Sequence, residues 1–195
     1  MSLAHFQEWQ PAFLKQVQDP SSAALLKEAA INGRLAAWTA CLTTAVVASC
    51  HDLGWRAAGK GHKLDLLPKA GQEFLGIDVM AFTESEADRW PFPLAAFELE
   101  NSPSDDRVAY SLWKVLCLRV PLRIVFAYRP DWQQGRELVQ RVCKDVIETK
   151  PTEWRAGQRG QTALVVGNRG EGETFPFGYF KFWMLNNNLG RFEKI

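Results

Sequence analysis

Three acids set in two short apolar runs carry most of the chemistry in this sequence. The first run, GIDVMAF, holds Asp78; the second, LAAFELEN, holds Glu98 and Glu100. Short apolar runs bounded by turn formers read as buried strands. Alternation along a strand then puts Asp78 on one face with Gly76 and Met80, and Glu98 and Glu100 on one face with Ala96. If the two strands are neighbours, the three carboxylates converge. Carboxylates crowded together out of water cost roughly several kcal/mol each unless a cation or hydrogen-bond donors offset the charge. A hard divalent ion with oxygen ligands does so. The plainer alternative is that Glu98 and Glu100 line the wet side of an antiparallel strand.

The elements that would position these acids follow in order. NSPSDDRVAYSLWKVL reads as a turn and a helix, and RVPLRIVFAYRP as another strand. A strand, helix, strand succession with no room for a hairpin predicts a parallel crossover, hence an α/β fold with a mixed central sheet flanked by helices. Ser104 is placed to cap the helix, with Asp105 and Asp106 in its first turn, where the dipole favours negative charge. Val108, Leu112, Val115 and Leu116 form its apolar stripe, and Arg107, Ser111 and Lys114 fall elsewhere. From there Lys114 either reaches back to the acids or stays in water.

These motifs resemble the PD-(D/E)xK, or restriction-endonuclease-like, nuclease superfamily. Asp78 is similar to the first acid of that motif, and Glu98, Leu99 and Glu100 to its second part, with nineteen residues between Asp78 and Glu98. Glu100 stands where a lysine is expected. Some members use Glu-x-Glu; others carry the lysine on the following helix, where Lys114 is the candidate. The resemblance spans residues 35 to 130. It implies a restriction-endonuclease-like core and a metal-dependent phosphodiesterase acting on DNA. Asp78, Glu98 and the backbone carbonyl of Leu99 would hold Mg²⁺ or Mn²⁺. Glu100 would complete the metal shell or orient water, and Lys114 would stabilise developing charge. The alternative within the same fold is a nuclease-like domain that no longer cuts and serves as a binding or assembly module. A carboxylate-pair glycosidase is a third reading, disfavoured because neighbouring strands bring the acids too close for one to stay neutral.

A chain of 195 residues, 47% hydrophobic, suits one core, so a single domain over 1–195 is expected. Within it, 1–34 is an N-terminal helical part, 35–130 the nuclease-like core, and 131–195 a helix with C-terminal strands. The net charge of +1 excludes a strongly basic protein overall. The halves differ, however: residues 1–100 carry 8 Lys/Arg against 12 Asp/Glu, a balance of −4, and residues 101–195 carry 15 against 10, a balance of +5. An acidic centre beside a basic substrate surface fits that asymmetry, and DNA affinity must then come from a local patch. A homodimer is an option.

None of Cys41, Cys50, Cys117 and Cys143 makes a C-x-x-C pair, and each lies in an apolar, helical context. Reduced, buried thiols in a cytoplasmic protein are expected, with no structural zinc and no membrane partner. No basic region followed by an apolar stretch opens the chain, so no signal peptide is read. Helices are expected over 5–18, interrupted by Pro11, and over 23–52 with a break near Asn32 and Gly33, Ser22 capping the second. Glu28 is a weak further acid, more simply a surface partner for a neighbouring cation. The loop with Lys60, His62, Lys63 and Lys69 is either solvated or a phosphate contact. In TFPFGYFKFWML the aromatics around Lys181 read as core first and as a base-stacking surface second.

Overall fold

The structure, a computed structural model, describes residues 4–83 and 89–195; residues 84–88, within the polar link between the two acidic runs, lie outside that description. The fold is α/β, with seven strands among the described residues in a mixed sheet flanked by helices. The chain divides into two compact units, Met1–Phe97 and Glu98–Ile195.

In the first unit, helices α1 (Ala4–Gln18), α2 (Pro20–Ile31) and α3 (Leu35–Asp52) precede β1 (Trp55–Gly59), β2 (Val79–Thr83) and the start of β3 (Ala95–Leu99). On α1 the residues Phe6, Trp9, Phe13 and Val17 recur at helical spacing and are all buried. Trp9 stacks on Phe13 at 5.0 Å, meets Phe97 at 5.3 Å and donates its indole N–H to Ser49 Oγ at 3.0 Å. Although Pro11 predicts an interruption, α1 runs through it. The interior proline costs about 3 kcal/mol, which four large buried side chains on the opposite stripe outweigh. The cap of α2 is Asp19 rather than Ser22: its Oδ1 accepts the backbone N–H groups of Ser21 (3.0 Å) and Ser22 (3.1 Å), with Pro20 in the first turn. Apolar nearly all round, α3 packs on α1, α2, β1 and β2.

Strands β1 and β2 are antiparallel with Ala57 opposite Ala81, and β2 and β3 are antiparallel with Met80 opposite Ala96. At Gly59 a Cβ would lie 3.0 Å from the Asp78 carbonyl oxygen, Thr43 Cγ2 and Val79 Cγ2, so only glycine lets the strands and α3 close up.

A polar tie also holds α1 to α3. Asp52 Oδ2 accepts from Lys15 Nζ and Gln16 Nε2, both at 2.9 Å. These two hydrogen bonds, Lys15's first, hold the Asp52 carboxyl below its ordinary range. A depressed carboxylate stabilises the fold above its unfolded value, and that contribution fades as pH falls through the lower folded value. Asp52→Asn, the isostere of the protonated acid, is therefore expected to lower Tm modestly at pH 7. The gap to the parent should close below about pH 4, which a melting series from pH 7 to pH 2 reads; a gap independent of pH would contradict the assignment.

The second unit takes over within β3. It contains α4 (Asp105–Leu116), β4 (Leu122–Arg129), α5 (Trp132–Cys143), α6 (Thr152–Gly157), β5 (Gln161–Asn168), β6 (Phe180–Asn186) and β7 (Arg191–Lys194). Strands β4 and β5 are parallel, Val125 opposite Leu164, and are buried on both faces, as parallel strands covered by helices are. Strands β6 and β7 extend the set antiparallel. Directly after α5 the chain changes to π-helical geometry at Lys144–Glu148. All four cysteines are free thiols, but Cys41 is only half-buried and Cys117 is exposed just past α4 rather than buried within it. Most of the C-terminal aromatics are core, Phe175, Tyr179, Phe180, Phe182 and Trp183 among them. Among the described residues no helix is long and apolar enough to cross a membrane.

Candidate functional site

Strand β3 has no wet face. Ala95, Ala96 and Phe97 are fully buried, and so, at 3% exposure, is Glu98. A solvated carboxylate at this position is thereby ruled out. The charge is met from α4, where Lys114 places its Nζ 2.8 Å from Glu98 Oε1, with a quarter of the lysine side chain still exposed. The same Nζ lies 6.0 Å from the Tyr110 ring centre. Helix spacing explains the reach: Val108, Leu112 and Val115 face the core, and Lys114 leaves the helix at the border of that stripe. Ser111, expected off the apolar stripe, is buried there as well.

Beyond β3 the chain turns tightly into α4. The Glu100 N–H donates to the Phe126 carbonyl at 3.2 Å, and Glu100 Oε1 accepts the Ser102 N–H at 2.7 Å. Leu99 is buried at the strand's end. Ser104 occupies the cap position without a side-chain cap bond, while Asp105 in the first turn is gripped by Arg129 and Arg141.

Asp78 lies in the first unit and Glu98, Glu100 and Lys114 in the second. The strand expected from GIDVMAF begins only at Val79, because Phe74–Gly76 forms a 3₁₀ turn with Leu75 (φ 56°) and Gly76 (φ 66°) in the left-handed region. Gly76 and Asp78 are thus outside the strand, and Asp78 sits half-buried at its entrance. Among the described residues no group of three or more His, Cys, Asp or Glu side chains is placed to hold a metal ion. The fit to a divalent ion is accordingly partial: Glu98 is a buried carboxylate of the right kind, but an ammonium already offsets its charge.

The remaining candidates have ordinary partners. Glu28 is exposed and pairs with Arg34 at 3.0 Å, and His62 shares a 3.1 Å hydrogen bond with Thr44. Burial, and after it the charge of His51, lowers the His62 pKa. Two charged groups escape the sequence reading: Arg123 and Arg129 sit at the two ends of apolar β4 and are nearly fully buried. An arginine inside an apolar strand run is the signal that marks them. Lys181, read only through its aromatic neighbours, stands 3.6 Å over the Trp132 ring. Arg169 lies 5.0 Å over the Tyr128 ring and donates to Asn101 Oδ1 at 3.2 Å. Near it, burial pushes the Tyr179 hydroxyl up to about 12.

Comparison of the chain with protein-family models, with curated proteins and with solved structures finds no match.

Proposed function

We propose that the chain is a metal-dependent phosphodiesterase acting on DNA, of the restriction-endonuclease-like kind, with Glu98 and Lys114 at its centre. The observation that supports this most is the 2.8 Å pair between a strand carboxylate and a helix lysine, with the carboxylate fully buried. Such a pair adds little stability over well-packed apolar residues of similar volume. A buried acid beside a partly exposed lysine suits a reaction at a phosphate instead. Lys114 fills the lysine role from the helix. Its side chain is a quarter exposed, so the ammonium can shift toward a phosphate oxygen. Glu100, fixed by the Ser102 N–H, orients the attacking water. Mg²⁺ or Mn²⁺ held by Glu98 and the Leu99 carbonyl would supply a more acidic bound water and Lewis-acid stabilisation of the phosphate.

Cleavage of plasmid and labelled duplex DNA in Mg²⁺ or Mn²⁺ tests this. The parent protein is expected to cut, Glu98→Gln to lose cutting, and Lys114→Met to lose roughly 10²-fold or more. Parental rates in Glu98→Gln would remove the assignment.

A second reading is favoured by the charge balance itself: Lys114 neutralises Glu98 without any ion, as a nuclease-like module that binds but does not cut would have it. On that reading DNA is retained, no divalent ion promotes cleavage, and calorimetric titration with Mn²⁺ gives no heat of binding.

A further inference from the structure

A second cationic group in the Glu98–Ile195 unit has no role in the chemistry above. Trp132 opens α5, and the ammonium of Lys181, from β6, stands 3.6 Å above its ring. Lys181 is opposite Val166 in the β5–β6 pairing, and α5 settles on that same face with Gly135 against Val166: a Cβ there would lie 3.3 Å from Val166 Cγ1. Arg136 follows Trp132 by one helical turn, so both project from the same side of α5, and Arg136 is exposed. Lys194 is opposite Trp183, which shares a strand face with Lys181, so Lys194 extends the group along the sheet.

The acids around this group are engaged elsewhere. Asp131 caps α5 through the Gln134 backbone and side chain, and Glu137 accepts from Gln133. Glu171 accepts from Thr174, and Glu193 holds Asn186 and Arg191. Among the described residues, Arg136, Lys181 and Lys194 take part in no ion pair. Burial foremost, then the charges of Lys194 and Arg136, lower the Lys181 pKa, and Glu171 opposes them last. Three cations gathered on one face, with the nearby carboxylates turned to other donors, are electrostatically complementary to an anion.

We infer that Arg136, Lys181 and Lys194 form a binding site for the phosphodiester backbone of a nucleic-acid strand, with Trp132 supporting Lys181. The choice of a nucleic acid rests on the phosphodiesterase reading; the cationic site does not. Adjacent backbone phosphates offer the row of negative charges that a row of cations along a sheet edge matches, and an indole beside them is the usual companion in single-strand grooves. The site would track the strand without reading its sequence.

The test uses the full chain in EDTA, so that cleavage plays no part, with anisotropy of a fluorescein-labelled single-stranded oligonucleotide over a salt series. Arg136→Gln/Lys181→Gln is expected to weaken binding roughly tenfold. It should also flatten the slope of log K against log[salt] by about 1.4, or ~0.7 for each phosphate that no longer meets a cation. Arg136→Lys/Lys181→Arg should keep most of the affinity and the parental slope. An unchanged slope in the Gln variant, or equal loss in the charge-preserving one, would overturn the site. Inorganic triphosphate is the competitor: displacement only at high concentration supports a backbone contact, and tighter binding than the oligonucleotide would overturn the nucleic-acid assignment. Loss of binding in the Gln variant, in a protein that no divalent ion makes cut, would therefore sink the phosphodiesterase reading and leave this site standing.

Discussion

Arg123→Met is expected to lower the unfolding free energy by about 3 kcal/mol, the largest single loss in the Glu98–Ile195 unit. Arg123 enters near the start of β4, is 3% exposed, and spends its guanidinium on backbone carbonyls. Nε donates to Val115 (3.0 Å) and Leu118 (3.2 Å), Nη2 to Leu118 (2.7 Å), and Nη1 to Arg159 (2.8 Å). Val115 lies in the last turn of α4, so a permanent positive charge sits at the negative end of that helix. Burial lowers the Arg123 pKa, but a guanidinium starts so high that the group stays charged at any working pH. Met keeps most of the aliphatic volume and removes every donor, so the loss reports carbonyls left without their partner. Arg123→Lys retains the charge but not the fork, and should lose about half as much. Urea unfolding with an unchanged m-value reads both, and amide exchange should show residues 113–118 opening early in Arg123→Met. A loss below about 1 kcal/mol would mean that water replaces the guanidinium at low cost.

Why the sequence announces some of this and not the rest follows from where the signals lie. Alternation and helical spacing are local, so LRIVFAY, TALVV and the stripe Val108, Leu112, Val115 fall on observed elements. Capping is local too but degenerate: Asp19, Ser21 and Ser22 are all eligible, and Pro20 in the first turn decides for Asp19. The kink at Leu75 and Gly76 is a backbone event that an apolar run hides, which is why the strand before Asp78 reads too long. Ionic partners are set by tertiary distance. Lys114 is legible as a residue able to reach an acid, whereas Arg129 and Arg141 on Asp105, both far from it along the chain, are not.

The pair at the proposed centre should respond unequally to removal of its two members, and the inequality follows from burial. Lys114→Met takes the ammonium from a carboxylate whose side chain is 5% exposed and whose strand cannot carry it to water. Burying a charge after removing its partner costs about 3 kcal/mol, and the lysine's partial exposure argues for the lower side of that figure, nearer ~2 kcal/mol. Glu98→Gln removes the other charge, but Lys114 is a quarter exposed and its long stem lets the ammonium swing outward, so the loss should be about 1 kcal/mol or less. Glu98→Gln/Lys114→Met should recover more than half of the single Lys114 loss, because no charge is then left inside. A denaturation cycle over the four proteins at pH 7 measures all three. Equal single losses, or strict additivity in the double variant, would mean the two side chains do not hold each other. The phosphodiesterase reading would then have no reason to assign Lys114 to Glu98. On that reading the expected asymmetry has a functional side: an arriving phosphate would draw the mobile ammonium to itself while the fixed carboxylate stays in place.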